Sequence, residues 1–246
     1  MKKEDCRGCK SKKLNKILSL GLSPLANNLL DSVEKCDVYP LDLNLCLDCY
    51  NCQLSHVVPP DRMFRNYLYV SSTTESFRKH FKDAANEYIN RFNLDENSFV
   101  IDIGSNDGIG LKPFFEKGIK VLGVEPASNI CDIALENDID TYCEYFNDEV
   151  VNKIEQKADL ITASNVFAHA DDLESIAKNV FKVLKKDGCF VIEVQYLLRT
   201  IEDGTFDNIY HEHVNYWSVT SLNIFFDRLG FQICDVLYID THGGSI

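Results

Sequence analysis

Five of the ten cysteines, Cys6, Cys9, Cys46, Cys49 and Cys52, cluster as C-x-x-C units near the start of the chain, and the first four form two C-x-x-C pairs. Two such pairs supply four thiolates, the set that closes a tetrahedral zinc site. Four protein ligands leave no open coordination position, so the expected metal is structural. The 36 residues between the pairs exceed the usual zinc-ribbon loop, and Cys49 with Cys52 makes a further C-x-x-C, so spacing alone does not exclude Cys52. Cys6, Cys9, Cys46 and Cys49 are the expected ligands.

A second chemical signature is VIDIGSNDG, Val100 to Gly108, an apolar run that ends in a glycine-bearing turn. Glycine lets the backbone approach a ligand closely at the carboxyl end of a strand, where open α/β sheets bind nucleotides. Asp102, Gly104, Ser105, Asn106 and Gly108 are the candidates there. About twenty residues on, Glu125 in GVEPA can accept hydrogen bonds from both ribose hydroxyls. The turn reads G-S-N-D-G and not G-x-G-x-x-G, which makes a dinucleotide the weaker reading. Tyr145 and Phe146 either flank an adenine or belong to the core.

The third signature is YHEHVNYW, which holds Tyr210, Glu212 and His213. Asn165 and His169 in NVFAHADD follow an apolar run at a comparable edge position. Histidine titrates near neutrality, so these groups suit proton transfer; solvated loop histidines are the alternative.

These residues need elements to hold them. Residues 1–60 are turn-rich and form the expected zinc module. Residues 61–97 link onward through a helix over 74–92, where Phe77, Phe81, Ala84, Ala85, Tyr88, Ile89 and Phe92 recur at helical spacing and Ser72 or Thr73 can cap. From 98 to 246, apolar runs alternate with helical patterns, the signature of βαβ units and a parallel sheet. A helix over 218–229 and a strand over 231–239 come last. The expected class is α/β, a Rossmann-like core preceded by a small zinc-binding module.

Composition narrows the partners. A net charge of −13 argues against nucleic acid, because phosphate binding needs Lys and Arg to displace counterions. The start carries no apolar signal segment, and no run is long enough to cross a bilayer, so no membrane contact and a cytoplasmic location are expected. Clustered C-x-x-C pairs fit metal binding in a reducing compartment better than a disulfide framework.

In chain order, CRGC, LSLGLSPLANNLL, YPLDLNLCLDC, QLSHVVPPDRMFRNYLYVSST, VIDIGSNDG, GVEPA, NVFAHADDL, YHEHVNYWS and HGGS together resemble the sugar C-methyltransferase family of deoxysugar pathways. The glycine turn resembles motif I of class I methyltransferases. The resemblance covers essentially the whole chain. It implies S-adenosylmethionine on the Rossmann-like core and structural zinc on the four cysteines. It also implies a nucleotide-linked 4-keto-deoxysugar substrate, methylated at carbon 3 through an enolate. Tyr69, His169, Tyr210, Glu212 and His213 then serve the sugar, with His213 as base, Glu212 supporting it and Tyr210 helping to bind the ketone. Asn165 is counted with the cofactor. Family members continue into a further domain, so a dimer or a partner chain supplying a C-terminal half is expected. The competing readings are a cofactor-binding module completed by that separate half, and an O- or N-methyltransferase of a small molecule.

Overall fold

A computed structural model describes residues 1–29, 32, 35–65, 67, 69–241 and 243–246. From the N-terminus come β1 (Leu14–Ser23), β2 (Tyr39–Cys46) and β3 (Cys52–Leu54), then α1 (Asp61–Phe64) and α2 (Glu75–Phe92). Next are β4 (Phe99–Ile103), α3 (Lys112–Phe115), β5 (Lys120–Val124), α4 (Ser128–Glu136) and β6 (Thr141–Tyr142). Then follow α5 (Asp148–Val151), β7 (Ala158–Ser164), α6 (Leu173–Val183), β8 (Leu184–Glu193), α7 (Leu197–Glu202), β9 (Asn215–Tyr216) and α8 (Val219–Arg228). The chain packs as two compact units. One is Met1–Met63 with Asn165–Glu174 and Glu193–Ile246; the other is Phe64–Ser164 with Ser175–Ile192.

The second unit holds a five-stranded sheet in the order β6-β5-β4-β7-β8, with β4 parallel to both β5 and β7. All five residues of β4 are buried, as expected of a strand covered on both faces. Numbered along the chain, these strands run 3-2-1-4-5, and the order reverses between β4 and β7, the place where such sheets bind ligands. Val100, Leu111, Phe114, Ile119, Val121, Ile139 and Leu160 form the core. Helix α2 begins one residue later than expected, with Thr74 and not Ser72 or Thr73 as its cap, its side chain accepting from the Phe77 N–H. Asn93, at φ 52°, ends it.

The first unit holds an antiparallel sheet in the order β1-β2-β3-β9, so the cysteine-bearing strands are joined to the segment after YHEH. Leu41, Leu43, Leu54, Val57, Ile209, Val214 and Tyr216 pack around it. Trp217 is fully buried and donates to Phe167 O at 3.0 Å, while Phe167 meets Phe225 of α8 edge-on. Ser218 caps α8 through a capping box with Ser221.

Two expectations fail. Residues 231–239 form no strand; Ile239 bridges Ser245, and the side chains of that stretch are exposed or half-buried. Cys131 and Cys143 form a disulfide, although the cysteine distribution favoured a reducing compartment over a disulfide framework, because α4 and the end of β6 bring their Cα atoms to 5.9 Å. Among the described residues, no helix is long and apolar enough to cross a membrane.

Candidate functional site

The turn after β4 lies within the second unit. Gly104, Asn106 and Gly108 take positive φ values of 67°, 49° and 82°, and the Gly104 and Ser105 amides both donate to Val124 O at the end of β5. A Cβ on Gly108 would lie 2.8 Å from Ile139 Cγ1, so only glycine fits. Glu125, at the end of β5, is 6% exposed, and its two oxygens accept from the backbone N–H groups of Asn106 (3.0 Å) and Ala127 (2.8 Å). Burial raises its carboxyl above the ordinary value, with those two amides working in the opposite direction. Each oxygen keeps a lone pair for a ribose hydroxyl. Asp102 is tied into the sheet by the Thr162 hydroxyl at 2.7 Å.

Segment 69–72 is fastened to this turn in a way the sequence did not reveal. Asn106 Nδ2 donates to Tyr69 O (3.1 Å), Asn106 Oδ1 accepts from the Ser71 N–H (2.9 Å) and Asp107 Oδ2 accepts from the Ser72 N–H (3.2 Å). Among the described residues, the buried Ser105 Oγ and Asp107 Oδ1 have no hydrogen-bond partner, an arrangement that fits a polar ligand at the turn. Asp107 was overlooked; its place within G-S-N-D-G was the available signal. Tyr145 lies under the Arg65 guanidinium, 4.9 Å from the ring centroid, whereas Phe146 is a buried residue. The polar groups at this turn thus fit a nucleoside-bearing donor.

In the first unit, the sulfurs of Cys6, Cys9, Cys46 and Cys49 all lie within 4.8 Å of one another. The Cys6–Cys49 and Cys9–Cys46 separations are 3.5 and 3.6 Å, close to the ~3.8 Å expected between thiolates at tetrahedral zinc. Hydrogen bonding from the Cys49 thiol lowers the Cys6 thiol below its ordinary value. Cys52 instead pairs with Tyr216 in the sheet core, where burial pushes its thiol up to about 12. These four thiols fit a structural zinc ion.

The same unit gathers the histidines. His213 Nδ1 lies 2.9 Å from Asn208 O, which can only accept, so Nδ1 carries the proton and Nε2 the lone pair. The Tyr210 hydroxyl, 2.8 Å away, donates to that Nε2. Burial, then the Glu212 charge, raises the Tyr210 phenol well above its ordinary value and keeps it a donor. The His169 and His213 rings meet edge to face at 4.9 Å. Glu212 Oε1 accepts from Asn27 Nδ2 at 2.6 Å, which gives Asn27 a place at the cluster. Asn165 donates its N–H to Glu193 O at 2.7 Å. Four of the sugar-site candidates therefore share the first unit, while Tyr69 belongs to the second. The Asn208 carbonyl was invisible in the sequence because a backbone acceptor has no side-chain signature. His242 of HGGS lies outside the described residues.

A sequence profile of a methyltransferase domain matches residues 77–236, and one of a zinc-binding domain matches residues 6–64. The C-methyltransferase NovU of Streptomyces niveus is 34% identical over 249 residues, 99% of this chain and 59% of that protein. The mitochondrial ubiquinone biosynthesis O-methyltransferase of Bos taurus is 29% identical over 101 residues, 38% of this chain and 27% of its own. The chain thus spans less than two thirds of the length of either relative. Among solved structures, a SAM-dependent methyltransferase from Archaeoglobus fulgidus aligns with a TM-score of 0.52 at 20% identity, covering 67% of this chain and 79% of that one. Magnesium protoporphyrin IX methyltransferase from Synechocystis PCC 6803, with bound SAH, aligns at 0.54 and 12% identity over 68% and 80% of the two chains. Those two share the fold. With a methyltransferase profile over well over half its length and a four-thiol cluster within the zinc-binding profile, this chain belongs to the methyltransferase-domain family and carries a zinc-binding domain in front.

Proposed function

We propose that the chain methylates carbon, at position 3 of a nucleotide-linked 4-keto-deoxysugar, through an enolate. The observation that carries this reading is the fixed tautomer of His213, whose Nδ1–H donates to Asn208 O while its Nε2 lone pair accepts from the Tyr210 hydroxyl. The name of NovU, a C-methyltransferase, supports carbon as the acceptor. Adenosylmethionine, when bound, supplies an electrophilic methyl group.

The chain's own residues supply the rest. A proton on carbon beside a ketone is acidic enough for a neutral imidazole when nearby donors stabilise the enolate oxygen. His213 Nε2 takes that proton, and Tyr210, a phenol held protonated, donates to the ketone oxygen once the base is engaged. Glu212, oriented by Asn27, supports the imidazolium that forms. His169, packed against His213, is the alternative base. Tyr69 is assigned to sugar binding, and Tyr145 and Asn165 to the donor. The reading includes a cytoplasmic location and a dimer or partner chain that completes the sugar site.

The test is deuterium exchange at the sugar carbon in heavy water, with demethylated cofactor present and a panel of 4-keto nucleotide sugars. Exchange lost in His213→Ala and largely kept in His169→Ala is expected. No exchange by the wild type on any such sugar overturns the reading, and the reverse pattern moves the base to His169.

A further inference from the structure

Between the first two metal thiolates stands a buried cation that the mechanism does not use. Arg7 is 3% exposed. Its backbone N–H donates to Gln53 Oε1 at 2.8 Å, which fixes the turn from Cys6 to Cys9 against β3. Its guanidinium forks. Nε donates to Asp171 Oδ1 at 2.8 Å, and Nη1 donates to Leu54 O, also at 2.8 Å.

Each prong ends beside one histidine. Asp171 lies two residues after His169. Leu54 donates its N–H to Val214 O at 3.0 Å, and Val214 follows His213. The two segments are also joined directly, by Asn215 N to Ala168 O (3.0 Å) and Asn215 Nδ2 to Ala170 O (2.9 Å). The edge-to-face geometry of the two rings is thus set by two backbone segments, and one buried guanidinium ties both to the cysteine turn.

We propose that Arg7 is a positioning residue, which uses the metal-bound turn as an anchor to hold His169 and His213 in register. The metal then has a role at the proton-transfer site without touching it. Arginine is required because its planar fork spans two acceptors at once, whereas lysine offers a point charge to one. A cation in the interior costs several kcal/mol unless it is paired, and among the described residues Nη2 has no hydrogen-bond partner, so the fork rests on Asp171 and Leu54 alone. The proposal rests on the reading of the histidine cluster as the proton-transfer site.

The experiment uses the full zinc-loaded chain and three variants: Arg7→Lys, Asp171→Asn and Lys3→Met. Lys3 contacts Asp171 Oδ2 at 2.6 Å, so its loss tests the charge on Asp171 apart from the fork. Metal content is measured together with the 15N shifts of the imidazole nitrogens, which report the His213 tautomer without any turnover. Expected in Arg7→Lys and Asp171→Asn is one zinc per chain, a reduced difference between the two His213 nitrogen shifts, and a roughly ten- to hundredfold fall in deuterium exchange. Lys3→Met should stay close to wild type. Unchanged imidazole shifts in zinc-loaded Arg7→Lys overturn the proposal, as does an equal effect from Lys3→Met or loss of zinc in step with the shifts. If Arg7→Lys does not fold, the near-isosteric Asp171→Asn decides by the same readings. A wild type without exchange refutes the proposed reaction, and the nitrogen shifts still test the fork.

Discussion

The glycine turn of the second unit and the histidine cluster of the first are assembled in opposite ways. Five consecutive residues, 104–108, make most of the turn, and Glu125 and the strap at 69–72 complete it with backbone hydrogen bonds. The histidine cluster draws on Arg7, Asn27, Leu54, His169, Asn208 and His213, segments scattered over some two hundred residues. A site built from consecutive residues tolerates distant change, because its geometry is set by local dihedral angles. A site built from scattered segments inherits every weakness of the scaffold that gathers them.

The sharpest way to break this comparison is to remove a metal ligand. Cys46→Ser should lose the zinc and with it the folded first unit, since binding of structural zinc is worth roughly 10 kcal/mol or more. Elemental analysis and limited proteolysis read that loss. Calorimetry on the same variant should still detect adenosylmethionine within about tenfold of wild-type affinity; disappearance of donor binding would show that the two sites are not independent.

The next effect in size is His213→Ala, which should slow turnover by at least roughly a hundredfold while the donor still binds. Steady-state kinetics alongside calorimetry separate those two outcomes. Gly108→Ala reverses the pattern, because it strains a backbone at φ 82° and drives a Cβ to 2.8 Å from Ile139. A cost of about 1–3 kcal/mol in stability and about tenfold weaker donor binding are expected, with the His213 nitrogen shifts unmoved.

The smallest effect is on acid stability. Burial works to raise the Asp171 carboxyl, but the Lys3 hydrogen bond and the Arg7 charge outweigh it and hold it below its ordinary value of 3.8. A carboxyl depressed by folding contributes stability that is full above 3.8 and is lost as pH falls through its lower folded value. Asp171→Asn should therefore flatten the melting temperature against pH below about 4 relative to wild type. Identical acid profiles would remove Asp171 from the account of the first unit.

Legibility in the sequence followed the same division. Apolar runs and a glycine turn announced the strand, the loop and the acidic residue at Glu125, because each depends on neighbours a few positions away. The helix at 75–92 was visible from its apolar periodicity, but its cap was misplaced because Ser72, Thr73 and Thr74 offer the same chemistry. The expected strand over 231–239 shows the limit, since alternation of side chains cannot report whether a partner strand is at hand. The Cys131–Cys143 bond shows it again: twelve residues separate the two, and only the meeting of α4 with β6 brings them together.

By itself, the sequence determined the class of fold, the four clustered thiols and the glycine turn after the first core strand, because local backbone preference and ligand chemistry decide all three. Tertiary structure alone decided which histidine nitrogen is basic, what Glu212 leans on and why an arginine stands between two cysteines. Those outcomes depend on backbone carbonyls and on residues more than a hundred positions apart. Such partners leave no pattern along the chain, and they become neighbours only when burial of the two cores forces them together.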